Sequence, residues 1–319
     1  MTGALVRMGA RSVGLMALCS CAACAPRTAS VGELASFRAL RGELVTAQEL
    51  SAPPRGQYAV ERIRLAGSTG LATSGWLYRP AGAGGCYPAV LLQDGREENS
   101  TVIGRLPAEF GDVVVLSLDY PSAMPATLRL RDVALHSSRV KRAAREIPAL
   151  FSLGAAYLAQ RGDVDTTRIA VAATSFAVPF AIIAAAADPR FRNVTLIYGA
   201  GDLPRVLAAN LTLRPRALRA PVAWLAMRPF ADLAPERFIG LIAPRPVVMV
   251  NGIDDPQMPA EAARVLYAAA RPPKSITWLR TGHLMPTDSA LIRTLVDTAF
   301  AQLPVLHAPA ESRRCLRQP

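Results

Sequence analysis

The chain reads as an α/β protein, a mostly parallel twisted sheet with helices on both faces, and three observations predict it. After residue 58, short apolar runs alternate with helix-length segments, the order that builds strand–helix–strand units. Runs such as Tyr87 to Leu92 and Asp112 to Leu118 are continuously apolar instead of alternating, as strands covered on both faces must be. At 319 residues, 51% hydrophobic and 19% charged, the chain is long and apolar enough to bury one large core.

Residues 1–25 stand apart from this pattern. Arg7 and Arg11 without an acidic residue, a short apolar segment from Ser12 to Leu18, and then small residues and cysteines read as a secretory leader. The segment is too short for a transmembrane anchor. Leu18-Cys19-Ser20-Cys21 resembles a bacterial lipobox, which makes Cys21 the candidate lipidated residue. Val31 to Leu50 has a helical pattern and ends in Ser51-Ala52-Pro53-Pro54-Arg55-Gly56, a breaker-rich stretch that reads as a linker. Residues 26–57 are therefore expected to form a helix and linker ahead of a main domain at 58–306.

Within that domain Tyr58 to Leu65 and Ser74 to Tyr78 are expected to pair antiparallel about Gly67-Ser68-Thr69-Gly70. The two continuous apolar strands follow. Arg139 to Gln160 is the next helix, kinked or split by Pro148. Strand Arg168 to Ala173, a helix through Ala187 and strand Val194 to Tyr198 come next. Arg245 to Asn251 and Ser275 to Leu279 complete the sheet, with helices Pro259 to Ala270 and Asp288 to Leu303. Residues 202–243 form an insertion rich in Leu, Ala, Arg and Pro, whose Trp224, Met227 and Phe230 either line a pocket or form its own core. Residues 307–319 lack an apolar period and read as a flexible tail.

The net charge is +12, and Lys141 and Lys274 are the only lysines. The arginines are scattered, with no run interleaved with aromatics, which argues against a nucleic-acid partner. Cys86 and Cys315 are the cysteines outside the leader and could pair in an oxidising compartment. His136, His283 and His307 are the only histidines and no C-x-x-C pair accompanies a histidine cluster, so neither a metal site nor a cofactor is expected.

The chemistry concentrates in Arg168-Ile169-Ala170-Val171-Ala172-Ala173-Thr174-Ser175-Phe176-Ala177, an apolar strand running into a serine. A serine hydroxyl is a weak nucleophile at neutral pH and needs a base, plus a third group that orients the base. Asp255 and His283 follow in the chain, giving the order Ser, Asp, His.

These residues, with Val164-Asp165-Thr166-Thr167-Arg168, Asp188-Pro189-Arg190-Phe191, Ala243-Pro244-Arg245-Pro246 through Asn251-Gly252, and Thr281-Gly282-His283, carry a family resemblance. The chain resembles the α/β-hydrolase superfamily, near its dienelactone-hydrolase and prolyl-oligopeptidase-like branch, over most of residues 58–303. The resemblance implies Ser175 as nucleophile, His283 as base and Asp255 as orienting acid. Asp254 is the rival acid, but the family's G-x-x-D-x-x-V-P pattern fits Gly252 to Pro259 best with Asp255. The glycines of the usual G-x-S-x-G elbow are replaced by Ala173 and Ala177, each adding one methyl.

Oxyanion donors are implied at the backbone of Phe176 and in the loop of Asp94 and Gly95, where many relatives carry His-Gly and this chain has Gln93-Asp94-Gly95-Arg96. Asp119-Tyr120 is expected to position a loop, the insertion to serve as a lid, and His136 and His307 to be surface or packing residues. The activity implied is a serine hydrolase cleaving an ester or related acyl bond of a small molecule through an acyl-enzyme, exported to the periplasm or anchored by its lipid. The alternative is an inactive envelope lipoprotein that keeps the fold as a binding module.

Overall fold

The structure, a computed structural model, describes residues 27–81, 85–95, 111–124, 130–284, 288–303 and 315. The leader with Cys21, Arg96 and His307 lie outside the described residues. In chain order the strands are β1 (Leu44–Arg55), β2 (Tyr58–Gly67), β3 (Ala72–Pro80), β4 (Tyr87–Gln93), β5 (Val114–Leu118), β6 (Val164–Thr174), β7 (Asn193–Ile197), β8 (Val247–Gly252) and β9 (Lys274–Leu279). In space they form one sheet ordered β1-β2-β3-β5-β4-β6-β7-β8-β9. The first three pairings are antiparallel and the remaining five parallel.

The helices are α1 (Val31–Arg41), α2 (Leu130–Gln160), α3 (Val178–Ala187), α4 (Leu203–Asn210), α5 (Arg219–Met227), α6 (Ala260–Ala269) and α7 (Ser289–Ala301). They cover both faces, and β4 shows how. Ala89 and Leu91 pack with Phe151 of α2 and Ile182 of α3, whereas Val90 and Leu92 pack with Val296 and Phe300 of α7. Successive side chains point to opposite faces, so a strand covered twice is buried at every position, and its few polar residues, such as Gln93, are buried with it. β5, β7 and β8 are accordingly buried throughout.

Two expectations are corrected here. Val31 to Leu50 is not one helix: α1 ends at Gly42, whose φ of 62 takes the chain into β1. The supposed linker at 51–56 continues that strand and its turn. β1 is the outermost strand and exposed along nearly all its length, so it carries no alternating apolar signal. Its register slips between Ala52 and Arg55, across Pro53 and Pro54. The second correction concerns α2, which runs unbroken through Pro148; its non-helical residue is the exposed His136, at φ −127 and ψ 27.

Cys86 and Cys315 form a disulfide with Cα atoms 5.8 Å apart, closing a sequence separation of 229 residues. Arg161 grips Asp163 through two 2.8 Å hydrogen bonds and Glu49 of β1 through one of 2.7 Å, tying the outer strand to the turn before β6. Among the described residues no helix is long and apolar enough to cross a membrane.

Candidate active site

Three loops leave the carboxyl ends of the parallel strands β6, β8 and β9, where open α/β sheets gather their functional groups. The first carries Ser175. β6 ends at Thr174 in extended backbone and the chain turns at once through Ser175–Ala177 into α3. To make that turn Ser175 adopts φ 52, a left-handed conformation that costs a non-glycine residue energy and persists only where its surroundings enforce it. The enforcement is visible. Ala173 and Ala177 are fully buried, and every residue of α3 except Pro179 is buried. The alanines at the glycine positions of the elbow thus fit the packing of helix on strand.

The second and third loops carry Asp255 and His283. Ser175 Oγ lies 3.3 Å from His283 Nε2, and His283 Nδ1 lies 2.6 Å from Asp255 Oδ2. The Asp255 side chain is fully buried, and its other oxygen accepts the backbone N–H groups of Gln257 at 2.7 Å and Met258 at 3.0 Å. A buried carboxylate so satisfied holds Nδ1 as the protonated nitrogen and leaves the Nε2 lone pair facing the serine. Asp254 is exposed, and its backbone N–H donates to the Thr281 carbonyl. The structure therefore brings Asp255, and not its neighbour, to the imidazole.

Other residues hold this arrangement, and the sequence reading had not singled them out. Tyr198 follows β7 at φ 54 and is fully buried. Its ring lies 4.9 Å from that of His283, and its hydroxyl donates to the Gly282 carbonyl at 3.0 Å. Burial pushes the phenol pKa up, which keeps it a donor. A tyrosine directly after the strand Asn193–Ile197 is the signal the sequence offers. Gly252 allows the closest approach: a Cβ there would meet the Thr281 carbonyl oxygen at 2.5 Å. The acid loop and the histidine loop touch backbone to backbone at this point.

On the other side of Ser175, Gln93 is fully buried. Its amide donates to the Leu118 carbonyl and accepts from the Leu118 N–H, locking the ends of β4 and β5. Tyr120 donates to the Asp94 carbonyl at 2.6 Å and packs edge-on against Phe176, ring centres 5.6 Å apart. The segment of Asp94 and Gly95, the strand end at Asp119-Tyr120 and Phe176 thus form one packed unit beside the serine. Among the described residues no three His, Cys, Asp or Glu side chains group as metal ligands.

A cavity of about 500 Å³ opens at Ser175. Met227 and Phe230 of the insertion line it, whereas Trp224 is 56% exposed, with Arg228 over its ring at 4.9 Å. Met227 and Phe230 thus fit the pocket-lining expectation, whereas Trp224 fits neither expectation, since it faces solvent instead of a pocket or a core.

No protein-family model and no curated protein matches the chain. Solved structures do. Acetyl xylan esterase 1 from Thermoanaerobacterium sp. JW/SL YS485 is 15% identical, with 86% of this chain and 95% of that one covered, at a TM-score of 0.63. The acetyl xylan esterase from Paenibacillus sp. R4 is 17% identical over 83% and 93%, at 0.62. The glucuronoyl esterase from Solibacter usitatus is 14% identical over 84% and 92%, at 0.55. At these identities the likeness is one of fold, and the fold is that of the α/β hydrolases.

Proposed function

We propose that this protein is a serine ester hydrolase that works through an acyl-enzyme. The observation that carries the reading is the continuous relay from Ser175 Oγ to His283 Nε2 and from His283 Nδ1 to the buried Asp255. In this reading Ser175 Oγ attacks the ester carbonyl while Nε2 accepts its proton, and Asp255 stabilises the imidazolium that forms. Negative charge gathers on the carbonyl oxygen, for which the Phe176 N–H and the Asp94–Gly95 segment are the proposed donors. His283 then returns the proton to the departing alcohol. Water, activated by the same imidazole, releases the acid and restores the serine. An ester as the bond cleaved is supported by the names of the structural neighbours, which are esterases.

A fluorophosphonate probe tests the reading, because it labels only a serine made nucleophilic by its surroundings. The expected result is labelling that disappears in a folded Ser175→Ala variant. Labelling that is absent from the unaltered chain, or that survives the substitution, would sink the enzyme reading in favour of the binding module.

The reading extends to location. The leader pattern and the Cys86–Cys315 disulfide support export, since disulfides persist in oxidising compartments. Lipid attachment at Cys21 is checked by growing cells with labelled palmitate: incorporation is expected in the full chain and lost in Cys21→Ser.

A further inference from the structure

The cavity at Ser175 has a wall chemistry that selects its occupant. Its sides come from the elbow helix through Phe176 and Phe180, from α2 through Val140, and from the insertion through Leu207 and Phe230. Among the described lining residues none carries a charge. Beyond Ser175 the polar lining residues are Asn210 and Gln257, both exposed and so at the rim. The Asn210 amide nitrogen donates to the Val206 and Gln257 carbonyls, each at 2.8 Å. That nitrogen is engaged within the wall and fastens the insertion to the acid loop. A sugar ring entering this space would leave hydroxyls without partners, at a cost for each. An alkyl chain would lose nothing and exclude water from apolar surface.

Resting on the serine-hydrolase reading, we propose that the cavity is an acyl pocket and that the substrates are esters of medium-length aliphatic acids, of about six to ten carbons. Size sets the range. At roughly 30 Å³ per methylene-sized group, about the share of one water, an eight-carbon chain fills about half of the 500 Å³. Met124, Met227 and Met258 are among the lining residues, and their unbranched, polarizable side chains adapt to neighbouring chain lengths.

The test is the kcat/KM profile for 4-nitrophenyl esters from acetate to dodecanoate, run beside alkyl acetates in which the alcohol grows instead. The expected result is a rise of about fourfold per added methylene, peaking near octanoate, with no such rise along the alcohol series. In Leu207→Trp, which fills the cavity, the octanoate-to-acetate ratio falls at least about tenfold. In Phe230→Ala, which enlarges it, the optimum moves to longer chains; this opposite shift guards against a Leu207→Trp variant that fails to fold. A flat or falling acyl profile, or a dependence that follows the alcohol, overturns the pocket assignment while Ser175-dependent probe labelling keeps the hydrolase reading intact. Turnover and labelling both absent overturn the two together.

Discussion

The elbow and the insertion face each other across one cavity and are built on opposite terms. On the elbow side β6 is buried from Ile169 onward and α3 is buried at every residue but Pro179. On the insertion side α4 has no buried residue and α5 only Ala223, while Leu218, Trp224 and Leu225 are 46%, 56% and 63% exposed. The outer part of the insertion, α4 and α5, is tied to the acid loop by Asn210 at the Gln257 carbonyl, while its second half is anchored in the core through Phe230, Leu233, Phe238, Ile239 and Ile242 and by the ion pairs of Lys141 and Arg145 with Asp232 and of Arg237 with Glu33. Groups that must hold a proton-transfer geometry gain from neighbours that resist displacement on every side. A wall that only shapes space can rest on a few ties, and such regions open at lower free energy than the core.

Three substitutions probe that division. Asp255→Asn lies on the rigid side, where the amide selects the wrong imidazole tautomer with the geometry kept, and kcat for ester hydrolysis is expected to fall about 10³- to 10⁴-fold. Steady-state kinetics with an unchanged melting curve would place the whole effect in the relay. Gly252→Ala comes next. Its methyl must displace the Thr281 carbonyl, so we expect a loss of roughly 10- to 100-fold in kcat and about 1–3 kcal/mol of stability. An unaltered rate would show that the histidine loop does not need this close approach.

The smallest effect is expected at the insertion's anchor. The backbone N–H of Ser30 and the Arg237 guanidinium lower the Glu33 pKa from 4.5 to about 2. A lowered native pKa means that this stabilisation is complete above pH 4.5 and lost as pH falls toward 2. Glu33 is partly exposed, so solvent screening keeps the contribution below about 1 kcal/mol. Glu33→Gln should lower the melting temperature slightly at pH 7 and progressively less below pH 4.5. A loss of turnover comparable to that of Asp255→Asn would break the division between the two sides.

Much of the fold was legible because burial on both faces writes itself into strands as largely apolar runs, as in β4 and β5. The order of Ser175, Asp255 and His283 was legible for a related reason: each follows a strand marked out in the sequence, β6, β8 and β9 respectively. β1 was not, because an exposed strand is under no demand for alternation and its residues suit a helix as well. Spacing favours Asp255 over Asp254, and the structure turns the Asp255 side chain inward to two backbone N–H groups and to His283. Tyr198 and the bridging role of Gln93 were not legible because their work is done on backbone atoms of distant segments, and a hydrogen bond to a carbonyl leaves no pattern in the partner's sequence. The break at His136 in place of Pro148 shows the converse, a strong local signal overridden by packing.

The outer strand β1 has one consequence beyond the site. Its free side offers a ladder of backbone groups on which another copy of the chain could add itself, the usual route to sheet-driven aggregation. Pro53 and Pro54 occupy consecutive positions there and have no N–H to donate, and the register slip around them bends the strand. A second copy aligning with this rim meets two consecutive missing donors and an interrupted register, which makes β1 a poor template for a further strand.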